Sequence, residues 1–354
     1  MTPPIPTAQT IRSSQRKGGL ALFACLRDYL LTADERAVFR ANPRALAAQL
    51  GLDEREALKL LARAASENLV ELGWEVHCPQ CRAEACHVSH VRDLPGDVGC
   101  DFCGHEFDVH VDHEVWVTFT VRPEVRRLSG HADDPDYRRK IDAEYGPLNA
   151  LALLNLPLFR ELFTEQVLPE DASLRVRQVT ILATDLRGST ALYAREGDTA
   201  AHQIVRDHFR VIFAAAEAHE GLAVKTLGDG VMAAFPTTLD GLRAAVDIQR
   251  SMSALLREHR GLGDGQLALR VGLHTGPSIL VTMNGQLDFF GATVNIAFRV
   301  ARLAHGGDIL VTDTALDAAA RHELGTFGQT EIFHTVLKGF DEDCMIHRLT
   351  LPDE

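Results

Sequence analysis

No run of apolar residues in this 354-residue chain reaches the roughly 20 needed to cross a bilayer. The longest apolar stretch, from Leu148 to Phe159, is interrupted by Asn155 and Pro157. Nor does the N-terminus carry an apolar core of signal-peptide length before Gly19, so the expectation is a soluble, cytoplasmic protein with no membrane partner. A basic excess is missing as well. The 36 Lys and Arg face 49 Asp and Glu, and a net charge of −13 argues against nucleic-acid binding over the surface as a whole. Internal repeats are absent, which excludes a solenoid or propeller. What is present is a 46 % apolar composition and enough length for two or three domains with a real core.

The seven cysteines do not form an even disulfide set. Four fall into two pairs, Cys78-x2-Cys81 and Cys100-x2-Cys103, with eighteen residues between. Two such knuckles can present four thiolates to one structural Zn²⁺ per chain, in a reducing compartment. Pro79 and Gly104 suit the knuckle turns. Cys86, His87, His90 and His105 stand close enough in sequence to replace one thiolate, so the ligand set stays open.

The pattern divides into a flexible, mildly basic tail (1–18), a helical domain (19–77), a zinc-ribbon-like segment with a strand (78–128), a linker and connecting helix (129–175) and a C-terminal domain (176–354). Thr32 followed by Glu35 predicts a capping box. Asn42-Pro43 predicts a helix start, Gly51 its end, and Asp53 the cap of the next helix, so the pair resembles a helix-turn-helix. Its second helix mixes Glu54, Glu56 and Glu67 with Arg55, Lys59 and Arg63, which is not a groove-binding footprint; packing or sensing fits better than reading DNA. HEVWVTFTVRP alternates as a strand does. Residues 129–146 are polar and read as linker, and Leu158, Phe159, Leu162, Phe163 and Val167 predict an amphipathic helix. Beyond residue 175 strands and helices alternate, which predicts an α+β domain whose helices need cover only one face of a sheet.

The chemistry lies in that C-terminal half. Asp185 ends an apolar strand and is followed by Gly188-Ser189-Thr190 and a helix; such a junction aims backbone N–H groups at an anion, and the aspartate could hold a cation against it. Asp229, in Gly-Asp-Gly, is a second carboxylate able to share metal, although Asp-Gly is also a plain hairpin signal. Lys225 sits in an apolar strand, where it needs a partner or a cleft. Asn295 and Arg299 are four apart, on one face of a helix. Lys338 lies near the chain's end and could reach a phosphate.

In this order, the motifs ILATDLRGST, VKTLGDGVMAAF and LDFFGATVNIAFRVA resemble those of class III nucleotidyl cyclases, the adenylate and guanylate cyclases, over residues 176–354. The resemblance implies a ferredoxin-like sheet with helices on one side, a head-to-tail homodimer and ATP cyclisation with release of pyrophosphate. It implies two Mg²⁺ or Mn²⁺ ions per active site, held by Asp185, the neighbouring Leu186 and Asp229. Lys225 and Asp288 match the adenine-selecting pair, Asn295 orients the ribose, Arg299 stabilises the transition-state phosphate, and Lys338 contacts the β- and γ-phosphates. Gly188, Ser189 and Thr190 line the substrate. A cyclase of another nucleotide such as GTP, or a catalytically silent nucleotide- or DNA-binding regulator, stays open as an alternative. The preceding helical and metal-knuckle order resembles an uncharacterised region found ahead of some bacterial cyclases, and implies an input whose ligand or protein partner it does not name.

Overall fold

A computed structural model describes residues 18–258 and 267–352. The expected tail lies mostly outside the described residues. Contacts divide the chain into two units, one of residues 1–175 with 282–287, the other of residues 176–281 with 288–354. Among the described residues no helix is long and apolar enough to cross a membrane.

The first unit opens with helices α1 (Gly18–Thr32), α2 (Pro43–Leu50) and α3 (Glu54–Ser66). Asn42 accepts from the N–H groups of Arg44 and Ala45, Gly51 ends α2 at φ 64°, and Asp53 accepts from Glu56 N–H, each as the capping residues predicted. The predicted capping box at Thr32 is not formed. Thr32 is the last residue of α1 and its hydroxyl donates back to Asp28 O at 2.7 Å, while Asp34 caps a short 3₁₀ turn by accepting from Arg36 N–H.

A three-stranded sheet follows: β1 (Val70–His77), β2 (Glu84–Val88) and β5 (Val115–Val121), ordered β2–β1–β5, with the small hairpin β3 (Asp97–Gly99)–β4 (Glu106–Asp108) beside it. The segment from Val70 was expected to be helical. It is the central strand, covered on both faces from Gly73 to Val76, and Val70, Leu72, Trp74 and Val76 alternate with Glu71, Gly73, Glu75 and His77, a period-2 pattern that the helical reading passed over. Residues 129–146 are not simply linker: α4 (Pro135–Tyr145) occupies most of them, capped by Asp134 with proline at its first turn. Nothing on α4 is fully buried, so apolar spacing could not reveal it. A short helix α5 (Ala150–Leu154) comes first, and the expected amphipathic helix is shorter than its apolar pattern, α6 (Pro157–Leu162), with Pro157 in its first turn and Phe163 and Val167 beyond its end.

The second unit runs β6 (Leu174–Arg187), α7 (Ser189–Ala218), β7 (Leu222–Leu227), β8 (Gly230–Phe235), α8 (Thr238–Glu258), β9 (Ala268–Met283), β10 (Gln286–Phe290), α9 (Ala292–Leu303), β11 (Asp308–Thr312), α10 (Ala318–Phe327), β12 (Gln329–Val336) and β13 (Asp343–Thr350). The sheet order is β12–β13–β11–β9–β6–β8–β7, with β10 paired to β9. Within it, β9–β6–β8–β7 is the order of a βαββαβ ferredoxin-like core. Asn284 and Gly285, at φ 52° and 73°, make the two-residue turn between β9 and β10.

One face of this sheet carries the main core. Leu182, Val231, Phe235, Leu269, Val271, Ile309 and Val311 meet the apolar stripes of α7, α8 and α10 there. Leu310, pointing the opposite way from Ile309 and Val311, meets Val300 of α9 and Ala304 just beyond it in a second cluster. Helices therefore lie on both faces, which corrects the expectation of one. Glycine at 272 makes this possible: a Cβ there would collide with Ala301 N and Ala297 O, so the α9 backbone rests directly on β9. The sequence-predicted polar positions lie on the α9 side or at the ends of its strands.

Candidate active site

The two carboxylates expected to share metal are brought to one end of the sheet. β6 and β8 pair antiparallel from Thr180–Phe235 to Ala183–Met232. One step further, Thr184 Oγ1 accepts from Val231 N–H at 2.9 Å, and a Cβ on Gly230 would collide with Thr184 O. Glycine at 230 thus lets the β7–β8 turn press against the end of β6, which sets Asp229, one residue before, beside Asp185, one residue after. Only the first residue of that two-residue turn, Gly228, has positive φ (64°). The turn is Gly228-Asp229, one position earlier than the Asp-Gly signal suggested, and it leaves Asp229 at the tip, half-buried.

Two residues missed in the sequence support this pair. Arg270 Nη1 donates to Asp185 Oδ2 at 3.1 Å, from β9. Its signal was legible: a charged residue alternating with buried Leu269 and Val271, facing away from the main core. His208, fully buried on α7, places Nε2 3.0 Å from Asp229 O and Nδ1 2.5 Å from Val205 O, and so ties the Asp229 turn to α7. Burial lowers the His208 pKa, and the two carbonyl contacts only partly oppose that.

Beyond Asp185 the buried Leu186 and exposed Arg187 finish β6, Gly188 turns at φ 87°, and α7 begins at Ser189. The first N–H groups of α7 thus open beside Asp185. The side chain of Thr190 lies outside the described residues.

Lys225 and Asp288 form the second cluster. β7 is an edge strand with an irregularity between Ala223 and Lys225, and Lys225 is half-buried on it. Its Nζ donates to Asp288 Oδ2 at 2.5 Å. Asp288 is only 5 % exposed, and its other oxygen, Oδ1, is buried without a hydrogen-bond partner. An orphaned buried carboxylate oxygen is costly unless something else supplies a donor.

Arg299 sits one turn beyond the exposed Asn295 on α9. Its Nη1 is likewise buried without a partner, and its guanidinium lies 4.8 Å over the Phe340 ring. The loop carrying Lys338 closes here, because Leu337 packs on Val300 and Ala304 and Gly339 turns at φ 76°. A Cβ on Gly339 would come within 3.2 Å of Arg299 Nη1. Exposed Lys338 is therefore delivered to the neighbourhood of Arg299. Three groups result: two aspartates with Arg270, the Lys225–Asp288 pair, and Asn295–Arg299 with Lys338.

In the first unit, the sulfurs of Cys78, Cys81, Cys100 and Cys103 all lie within 4.8 Å of one another, with Cys78–Cys103 at 3.7 Å and Cys81–Cys100 at 3.5 Å. Tetrahedral zinc with bonds of about 2.3 Å sets sulfur–sulfur distances near 3.8 Å. Arg82, at φ 60°, returns its N–H to Cys78 O, and Gly104, at φ 72°, returns its N–H to Cys100 O, so both knuckles fold alike. Backbone N–H groups of Cys103 and Phe102 aimed at Cys100 hold its thiol at about 7. Cys86, His87, His90 and His105 are not part of this four-sulfur group.

Two protein families match the chain, one in each half. Residues 172–344 match the family described as Adenylate and Guanylate cyclase catalytic domain, and residues 15–145 match a family of unknown function. Receptor-type adenylate cyclase GRESAG 4.3 of Trypanosoma brucei brucei is 27 % identical over 207 residues, which cover 48 % of this chain and 17 % of that protein. Receptor-type adenylate cyclase B of Leishmania donovani is 29 % identical over 201 residues, covering 46 % of this chain and 15 % of that protein. The match thus spans less than a fifth of the length of either relative. Among solved structures, the adenylyl cyclase CyaB from P. aeruginosa aligns over 52 % of this chain and 97 % of its own, at 22 % identity and a TM-score of 0.43. An adenylate/guanylate cyclase/hydrolase from Silicibacter pomeroyi aligns over 51 % of this chain and all of its own, at 27 % identity and a TM-score of 0.41.

Proposed function

Residues 172–344 are an adenylate and guanylate cyclase catalytic domain, and on that premise we propose that the protein is an adenylate cyclase, converting ATP to 3′,5′-cyclic AMP and pyrophosphate at sites shared by two copies of the chain. The observation that carries the choice of base is the Lys225–Asp288 pair with its unused oxygen. Adenine offers N6–H₂ as donor and N1 as acceptor. Asp288 Oδ1 accepts from N6, and the Lys225 ammonium donates to N1. Guanine would set O6 against the carboxylate and N1–H against the ammonium, leaving buried polar groups opposed.

The residues at the end of β6 and the β7–β8 turn suit divalent ions, since both carry a carboxylate at the same end of the sheet and Arg270 pairs with Asp185 alone. Asp185 and Asp229, with the Leu186 backbone, would hold two Mg²⁺ or Mn²⁺. Bound there, the ions supply charge neutralisation for the triphosphate and acidify the ribose 3′-hydroxyl. Asn295 orients the ribose from α9. The 3′-oxygen forms a bond to the α-phosphorus, the bond from that phosphorus to the β-bridging oxygen breaks, pyrophosphate leaves with the electron pair, and the hydroxyl proton passes to water. Arg299, whose Nη1 has no other partner, stabilises the charge on the α-phosphoryl oxygens. Lys338, Arg270 and the first N–H groups of α7 receive the β- and γ-phosphates.

A shared site divides these groups between two copies, one supplying the metal aspartates and the other Lys225, Asp288, Asn295 and Arg299. Phe290, Ile332 and Val336 are more than half exposed on the second unit and supply apolar surface for a partner copy. The first unit, we infer, is held by one structural Zn²⁺ on the four cysteines, and free thiols in this number suit the cytoplasm.

Purified full-length protein assayed with ATP, GTP, CTP and UTP tests the reading. ATP should be cyclised in preference to each of the others. Equal or faster turnover of GTP would overturn it.

A further inference from the structure

The first unit encloses a cavity of about 280 Å³ among α1, α2 and α4 that no part of the cyclase reaction uses. The chain has four tyrosines, and three of them, Tyr29, Tyr137 and Tyr145, line this one space. Aromatic residues that concentrate in a small cavity, with few polar groups converging, are what ligand sites are made of.

The charges lining it are unevenly matched. Arg36 pairs with Asp34 and Asp134, Arg138 with Asp133, and Arg40 with Glu75 and Glu84. Among the described residues no cation forms an ion pair with Asp142: its side chain accepts from the neutral Asn42 amide at 2.8 Å, and the charges of Arg138 and His77 act on it only from a distance. A carboxylate left unbalanced beside three phenol rings favours a positive guest.

We propose that this cavity binds a small organic ammonium ion, its N–H groups donated to Asp142 and to tyrosine oxygens and its apolar body set among Ala45, Leu46 and Ile141. Burial raises the Asp142 pKa above the usual carboxylate range, and the Asn42 amide and the charges of His77 and Arg138 offset that only in part, which leaves room for a cation in contact. Burial likewise pushes Tyr29 up to about 12, with Tyr137 and Asp34 adding to the rise, so the phenols stay protonated and neutral beside the guest. The site lies within the region that matches a family of unknown function and stands whether or not the other half is an adenylate cyclase.

Calorimetric titration of the full-length protein with phenethylammonium chloride, against its neutral isostere 2-phenylethanol, tests the proposal. Saturable binding is expected for the ammonium, about tenfold or more tighter than for the alcohol, because one charge pair in a partly dehydrated cavity separates them. Asp142→Asn should erase that difference, and Tyr145→Phe should weaken the ammonium alone. No saturable binding of the ammonium, equal affinity for the two probes, or an unchanged preference in Asp142→Asn would each overturn the assignment. The two-probe comparison on the unmodified protein decides the matter even if a variant fails to fold.

Discussion

Lys225 donates to one oxygen of Asp288 and leaves the other buried and unbonded. The pair links an edge strand to the β9–β10 hairpin, and its asymmetry is what a purine edge could complete. Asp288→Asn places an amide where adenine N6 must donate, so the ATP-over-GTP ratio of kcat/KM should fall by about tenfold or more. Measuring both substrates on the same variant separates lost selectivity from general damage. An unchanged ratio would remove the pair from base recognition.

His208 holds the Asp229 carbonyl from a buried position on α7. His208→Phe keeps the ring and removes that link. The Mg²⁺ concentration giving half-maximal activity should rise several-fold, with a smaller effect on KM for ATP, since positioning of metal ligands commonly costs about 10-fold or more. A change in kcat alone, at unaltered Mg²⁺ dependence, would assign His208 to packing only.

His274 gives a pH prediction. Burial lowers its pKa from the ordinary 6.5 to about 4, and Nδ1 lies 2.7 Å from Thr312 Oγ1. The unfolded chain therefore takes up a proton that the folded chain refuses. The stabilisation is complete above the unfolded value of 6.5 and is lost as pH falls towards 4. Thermal melts should show the folded protein weakening over this window, by about 3 kcal/mol from this residue. His274→Asn should flatten that part of the profile.

The four sulfurs should carry one zinc per chain by elemental analysis. Cys103→Ser should lose it and destabilise the protein by on the order of several kcal/mol, because metal binding to such knuckles is folding free energy. A fully folded, metal-free protein would contradict this.

Much of this was legible because the signals were local. Asn42-Pro43, Gly51 and Asp53 cap their helices in the positions their chemistry requires, and the two CxxC pairs meet as their spacing suggests. Lys225 stood out as a charge in an apolar strand, and the same logic would have found Arg270. The misses have physical causes. β1 follows directly on a helix, so its alternation of Val70, Leu72, Trp74 and Val76 was absorbed into the helical pattern before it, and α4 has no buried stripe. The placement of α9 on the second face depends on Gly272, whose meaning lies in a backbone contact with Ala297 and Ala301 and not in its neighbours in sequence. Likewise Gly230 marks where β8 touches Thr184, a long-range fact that joins Asp185 to Asp229.

The shared site is tested most directly by mixing two inactive variants. Asp229→Ala lacks a metal ligand and Arg299→Ala lacks the phosphate-stabilising guanidinium, so each alone should be inactive. Reassociated at equal concentration, half the dimers are mixed and each holds one intact site of two, so activity should recover to about one quarter of that of the unmodified protein. No recovery, with mixed dimers demonstrated, would contradict the account.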